Sequence, residues 1–93
     1  MGMPKELKVE MSDYGYRMVL DTAKQYCAQE EPHWHLCKNG RRVGQISAYG
    51  TWTEYPSTDV SSKMIREAED LTRQYSSTII DYYRYNKENG ADY

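Results

Sequence analysis

The stretch that decides the fold is HWHLCKNGRRVGQIS, which runs from His33 to Ser47. Asn39 and Gly40 stand at its centre, and both residues tolerate the positive φ that a two-residue type I′ turn requires. Pairing outward from this turn predicts three cross-strand pairs: Lys38–Arg41, Leu36–Val43 and Trp34–Gln45. The sequence therefore predicts a β-hairpin from about His33 to Ser47.

The same register gives the hairpin two chemically different faces. Because side chains alternate along a strand, Trp34, Leu36 and Val43 share one face. The opposite face carries the others: His33, His35, Cys37, Arg42, Gly44 and Ile46. A bulge at Gly44 would bring Val43 and Ile46 onto one face. If the Trp34 face is inside, the histidines are exposed and available to a ligand; if it is outside, they are structural.

Short patterns predict one further strand on each side of the hairpin. The segment LKVEM, residues 7–11, alternates apolar with polar side chains, which is typical of a half-buried strand. After the hairpin, Tyr49-Gly50 predicts a turn into a third strand over residues 51–55, which Pro56 ends.

The segment between these strands has two readings. From Tyr14 to Gln29 the apolar positions fall at helical spacing after a Ser12-Asp13 cap, so we expect a helix. Alternation favours a strand in its first half, and this alternative rests on Tyr14, Tyr16, Met18 and Leu20.

Apolar residues three or four apart predict a C-terminal helix over residues 60–89. Ser57-Thr58-Asp59 could cap its N-terminus. One straight helix would be about 45 Å long, whereas a domain of this size is about 30 Å across. We therefore expect a break or bend near Ser76-Ser77-Thr78. The alternative is a continuous helix whose end pairs with another chain.

Together these patterns predict an α+β fold. The predicted order is a short N-terminal strand, a helix, an antiparallel hairpin or three-stranded meander, then one long or two consecutive C-terminal helices. The 93 residues suit a single domain over 1–93, with 1–5 expected to be disordered or left from cloning and 90–93 a tail. The chain shows no apolar leader and no run of ~20 apolar residues, so we expect a cytoplasmic protein.

Composition favours a protein-binding role. The chain has ten Tyr, two Trp and no Phe, and large aromatic rings are common in protein interfaces. A net charge of −2 disfavours nucleic acid and anionic membranes as partners. We predict a non-enzymatic binding module, such as a regulator or inhibitor, with a homodimer through the C-terminal helix as a further option. The candidate partner-binding residues are Trp34, Trp52, Tyr82, Tyr83, Arg41 and Arg42.

His33-x-His35-x-Cys37 is the candidate metal site. Alternate strand residues point the same way, roughly 6.5–7 Å apart, and imidazole and thiolate groups are zinc ligands. Cys27, Glu30 or Glu31 would have to complete the shell. Otherwise the histidines bind loop carbonyls and Cys37 packs as a small apolar residue. We predict no cofactor, with zinc as the alternative.

No catalytic residues are predicted. A Cys–His nucleophile needs both groups within hydrogen-bond reach, and same-face neighbours on one strand splay apart. The basic hairpin tip, with Lys38, Arg41 and Arg42 near Trp residues, supports a small RNA-binding or RNA-cleaving protein only as an alternative.

Residues 31–36, EPHWHL, resemble a family of small prokaryotic proteins of unknown function that share a Pro-His-aromatic-His-apolar strand. The resemblance covers residues 30–89, and this chain departs from the family by carrying the extra segment from Tyr14 to Gln29. It implies a short sheet followed by C-terminal helices, and a bacterial, phage or mobile-element origin.

Overall fold

The computed structural model describes residues 6–21 and 31–88. Over these residues the chain forms five strands and one helix: β1 (Glu6–Glu10), β2 (Tyr16–Asp21), β3 (His33–Lys38), β4 (Arg41–Ser47), β5 (Trp52–Glu54) and α1 (Ser62–Glu88). The strands lie in sequence order in one antiparallel sheet. The mixture of helix and sheet is confirmed. The predicted strand count and element order are wrong.

The central hairpin is confirmed. Asn39 has a φ of 52° and Gly40 a φ of 80°, as a type I′ turn requires, and Lys38 pairs with Arg41. Beyond Cys37 the register shifts by one residue. The predicted pairs Leu36–Val43 and Trp34–Gln45 are therefore wrong, and the observed pairs are Leu36–Gly44 and Trp34–Ile46. Val43 is the extra residue of a β-bulge, and both Val43 and Ile46 belong to the core.

The predicted helix that begins at Tyr14 is wrong over its first half. Gly15 has a φ of 88°, and the Tyr16 N–H donates to the Asp13 carbonyl at 3.2 Å, so the expected helix cap is a β-turn instead. β2 then pairs with β1 on one side and with β3 on the other. Both neighbours supply backbone partners, and this outweighs the helical spacing of the apolar residues. Residues 22–29 of that prediction lie outside the described residues.

The predicted break near Ser76-Ser77-Thr78 is also wrong, because α1 is continuous. Its 27 residues span about 40 Å, close to the 38 Å longest dimension of the molecule. Two hydroxyls explain local features of the helix. Ser61 Oγ accepts the Met64 N–H at 3.2 Å and caps the first turn, whereas the predicted caps lie earlier. Ser76 Oγ donates to the Ala48 carbonyl at 2.8 Å, which holds the helix on the sheet.

The helix packs on one side of the sheet, which we call the covered face. The core lies between this face and the helix. The sheet contributes Met18, Leu20, Trp34, Leu36 and Ile46, and the helix contributes Met64, Ala68 and Ile79. At the centre, the indole N–H of Trp34 donates to Thr72 Oγ1 at 2.9 Å, and its ring lies 5.5 Å from that of Tyr75. The other side, on which none of the described elements packs, is called the open face.

Polar contacts join the β1–β2 turn to the helix. The Ser12 N–H donates to a Glu67 carboxylate oxygen at 2.7 Å, and Lys63 Nζ lies 3.1 Å from Asp13 Oδ1. Of residues 6–21 and 31–88, none form a helix with the length and hydropathy that a membrane span requires. The predictions for residues 1–5 and 90–93 lie outside the described residues.

Candidate functional site

Two rows of side chains cross the open face from strand to strand. Antiparallel pairing places opposed residues on the same side of a sheet, so the observed register fixes both rows. The first row is Glu10, Arg17, Cys37 and Arg42. The second row is Lys8, Val19, His35 and Gln45. The open face is therefore polar and cationic, in contrast to the apolar covered face.

His33 and His35 lie on this open face, since Trp34 and Leu36 point to the helix. The predicted exposure of the histidines is wrong: His33 is buried, with 9% of its surface exposed, and His35 is half-buried. Cys37 on the same row is buried as well, with 6% exposed. The two imidazole rings meet edge to face, with centroids 5.3 Å apart. The row is thus a packed part of the sheet surface.

Hydrogen bonds define which ring nitrogens hold protons. His33 Nδ1 lies 2.9 Å from the Glu31 carbonyl oxygen, so this nitrogen donates. Gln45 Nε2 donates to Thr53 Oγ1 at 2.9 Å, which turns Gln45 Oε1 toward His35. His35 Nε2 then donates to that oxygen at 2.9 Å. A metal would have to be bound by His33 Nε2 and His35 Nδ1.

The metal hypothesis therefore depends on ligands elsewhere. Among the described residues, no three His, Cys, Asp or Glu side chains form a group that could hold a metal ion. Of the three residues that could complete the shell, Cys27 and Glu30 lie outside the described residues, and Glu31 lies within them but belongs to no such group. Zinc binding by His33, His35 and Cys37 stays a hypothesis.

A small basic pocket opens beside Cys37. It has a volume of about 190 Å³ and is lined by Lys8, Arg17, Val19, Cys37, Gly40 and Arg42. Arg17 also forms an ion pair with Glu10, with 3.1 Å between Arg17 Nη2 and Glu10 Oε2. The pocket joins cationic side chains from three strands above an apolar floor.

Aromatic side chains border β5, the last strand of the sheet. Tyr49 is 64% exposed and Tyr55 72%. The Tyr55 ring lies 6.1 Å from that of Trp52, and the Trp52 indole N–H donates to Glu69 Oε2 at 2.8 Å. We call these three residues, Tyr49, Trp52 and Tyr55, the aromatic edge.

The predicted partner-binding residues do not form one surface. Trp34 is fully buried and has no exposed surface for a partner. Tyr82 is half-buried and packs against the core. The other four lie on three different elements. Trp52 on β5 and Tyr83 on α1 are half-buried, and the consecutive residues Arg41 and Arg42 on β4 are exposed.

Two surface groups were missed by sequence reasoning. Tyr49 and Tyr55 flank β5, the strand that follows the hairpin. Their positions next to Gly50 and Pro56, which are turn-forming residues, were the sequence signal that these rings are exposed. Arg17 and Lys8 join Arg42 only through the sheet register, so reading residues 14–29 as a helix concealed that pocket.

Comparison of the chain with protein-family models, with curated proteins and with solved structures found no match. The likeness of EPHWHL to a prokaryotic family therefore stays a hypothesis. The function has to be inferred from what the aromatic edge and the open face present to a ligand.

Proposed function

We propose that this chain is a non-enzymatic protein-binding module that presents its aromatic edge to a polypeptide partner. The observation that carries this proposal is the exposure of two tyrosines beside one edge strand. Tyr49, in the turn before β5, is 64% exposed, and Tyr55, directly after β5, is 72% exposed. Tyr and Trp dominate binding energy in protein interfaces because a rigid ring buries much area at small entropic cost. A regulator or inhibitor from a bacterium, phage or mobile element is the role we assign to such a module.

The backbone of β5 supports the same proposal. β5 pairs with β4 on one side and with none of the described strands on the other. Such an edge can accept an extended peptide as an additional strand. β5 is only three residues long, so backbone bonds alone offer little affinity. The aromatic edge would supply most of the contact area.

Trp52 gives this edge a defined shape. Its indole N–H is held by Glu69 on the helix, and its ring makes an edge contact with Tyr55. A preorganised aromatic pair loses less conformational entropy on binding than free side chains. The partner would therefore meet a surface that is already arranged.

Site-specific photo-crosslinking tests the proposal. A benzophenone amino acid at position 55 should crosslink one polypeptide in an extract of the source cell. Excess unlabelled wild-type protein should suppress the crosslink, whereas excess Tyr55→Ala protein should not.

Position 14 provides the matched control. Tyr14 is fully exposed but lies in the β1–β2 turn, at the opposite edge of the sheet. The same crosslinker there should not capture that polypeptide. Equal capture from positions 14 and 55, or suppression by Tyr55→Ala as effective as by wild type, would contradict the proposal.

A further inference from the structure

We propose that the polypeptide partner meets the aromatic edge with a basic segment, in which an arginine stacks on Tyr55 and donates to the carboxylate of Glu69. The assignment rests on the protein-binding function, because it names the chemistry of the partner at the same edge. It depends on the carboxylate that holds Trp52 in place and on the cations that this carboxylate lacks.

The Glu69 carboxylate keeps one oxygen open to solvent. Its Oε2 accepts the Trp52 indole N–H at 2.8 Å, and its Oε1 takes part in no hydrogen bond with the described residues. Glu69 is half-buried, and none of the described side chains that are at least half-buried has a buried oxygen without a hydrogen-bond partner. Oε1 must therefore reach solvent. A carboxylate that is fixed on one side and open on the other is a strong acceptor for a cationic N–H donor.

Two carboxylates at this edge have no cation of the chain beside them. Neither Glu69 nor Glu54, the last residue of β5, forms an ion pair within residues 6–21 and 31–88. Arg66, one helical turn before Glu69, is exposed and forms no ion pair with it. The ion pairs of the described chain use other carboxylates: Glu10, Asp13, Asp59 and Asp70. The edge is therefore complementary in charge to a basic partner.

Tyr55 supplies an aromatic surface next to this charge. It is 72% exposed, and its ring meets the Trp52 ring at an interplanar angle of 63°. Trp52 links the two groups, because its ring contacts Tyr55 and its N–H bonds to Glu69. An aromatic face attracts a cation within about 6 Å of its centroid. A planar guanidinium can stack on a ring and donate to a carboxylate at the same time, which favours arginine over lysine.

The strand geometry predicts how the basic residues of the partner are spaced. Trp52 is paired with Ile46, and both side chains pack on the covered side of the sheet. A strand added beside β5 would turn every second side chain to that side. Basic residues that alternate with small β-forming residues should therefore fit the edge.

Titration with a short synthetic peptide in which threonine and arginine alternate tests the proposal. The indole N–H signal of Trp52 in NMR spectra reports on the site directly, and ionic strength is held constant. We expect saturable shifts of this signal and of the Glu54 and Tyr55 amides. The same peptide with lysine should bind more weakly, and with glutamine at least tenfold more weakly.

Glu69→Gln is the decisive variant, because an amide oxygen can still accept the Trp52 N–H while the charge is lost. It should weaken binding of the arginine peptide about fivefold or more. Asp70→Asn removes the same charge from the next residue, whose carboxylate pairs with Arg73, and should change the affinity less than twofold. Glu54→Gln removes an exposed charge outside the core and should weaken binding about twofold or more, which gives a second measurement if Glu69→Gln moves Trp52.

Shifts that do not saturate, equal binding of the arginine and glutamine peptides, or an equal loss in Glu69→Gln and Asp70→Asn would overturn the proposal. Crosslinking from position 55 separates it from the proposed function. If a polypeptide is captured and excess Glu69→Gln protein suppresses the capture as well as the wild type does, the partner is not recognised through a basic residue and the protein-binding function stands. If nothing is captured, that function fails, whereas the peptide titration still decides whether the edge binds arginine.

Discussion

The covered and open faces belong to the same strands, yet they are stabilised in different ways. On β3, Trp34 and Leu36 are fully buried against the helix. His35, between them, instead faces Gln45 on the open face and bonds to its amide. The covered face gains free energy from apolar burial, whereas the open face keeps polar groups that hydrogen-bond across strands. Alternate residues of β3 are therefore apolar where they pack against α1 and polar where they face away from it.

The two faces also differ in what they contribute, because the covered face mainly stabilises the fold and the open face presents side chains to solvent. The side chains at the centre of the covered face, such as Trp34 and Leu36, are enclosed by the helix and have no surface for a ligand. The open face carries half-buried or exposed cationic side chains, which contribute less to the core and can meet a ligand: Lys8, Arg17 and Arg42. Substitutions on the two faces should consequently differ in what they change, even when the residues are adjacent in sequence.

The largest expected effect comes from an adjacent pair on β2. Met18 is fully buried on the covered face, whereas Val19 is half-buried on the open face. Met18→Ala should lower the free energy of unfolding by about 2–5 kcal/mol. Val19→Ala should lower it by about 1 kcal/mol or less. Urea denaturation of both variants measures the contrast, and equal losses would show that the two faces are not distinct.

A smaller effect is expected at the polar contact within the covered face. Thr72 Oγ1 accepts the Trp34 indole N–H at 2.9 Å and donates to the Ala68 carbonyl at 2.7 Å. Thr72→Val keeps the side-chain volume but leaves the buried N–H without its acceptor. The expected loss in the free energy of unfolding is about 1–3 kcal/mol.

Thr72→Ser is the matched control, because it retains the hydroxyl. It should keep the Trp34 hydrogen bond and lose only the contacts of one methyl group. Denaturation curves of both variants provide the measurement. If Thr72→Val were as stable as the wild type, the hydrogen bond to Trp34 would contribute nothing to the covered face.

The smallest expected effect lies at the exposed rim where β3 meets the segment before α1. The hydrogen bond from Lys38 at 3.1 Å, with a further contribution from the nearby Arg41, holds the pKa of Asp59 below its usual value. The same contact raises the pKa of Lys38. Because the folded-state pKa of Asp59 is the lower one, the pair stabilises the fold above the usual carboxyl pKa. That contribution is lost as the pH falls through the lowered value.

Asp59→Asn should therefore lower the melting temperature slightly at pH 7 and not at pH 2. High salt should reduce the difference at pH 7, since an exposed pair is screened. Thermal unfolding at the two pH values measures this. A larger difference at pH 2 than at pH 7 would contradict the sign of the pKa change.

Local conformation explains which elements could be predicted. The turn at Asn39-Gly40 depends only on positive φ at two residues, and it was predicted correctly. β1 and β5 were predicted because their patterns are short and bounded by turn residues. β2 was missed because its apolar residues satisfy both a helical and a strand period, and only pairing with β1 and β3 selects between them.

Candidate sites depended still more on the assembled sheet. The row of His33, His35 and Cys37 could be predicted because all three residues lie on one strand. Arg17 and Arg42 could not be placed together, because they come from β2 and β4 and meet only across β3. Whether an aromatic side chain is buried or exposed could not be predicted either: Trp34 is enclosed by the helix, whereas Tyr55 is exposed.

The sequence by itself determined the central turn, the alternation of the strands and the amphipathic C-terminal helix. Each of these follows from the backbone preferences and polarity of neighbouring residues. Tertiary structure decided the rest: the bulge at Val43, the strand at Tyr16–Asp21, the unbroken helix and the face that it covers. These depend on which apolar surfaces and backbone groups find partners far along the chain, and local sequence does not contain that information.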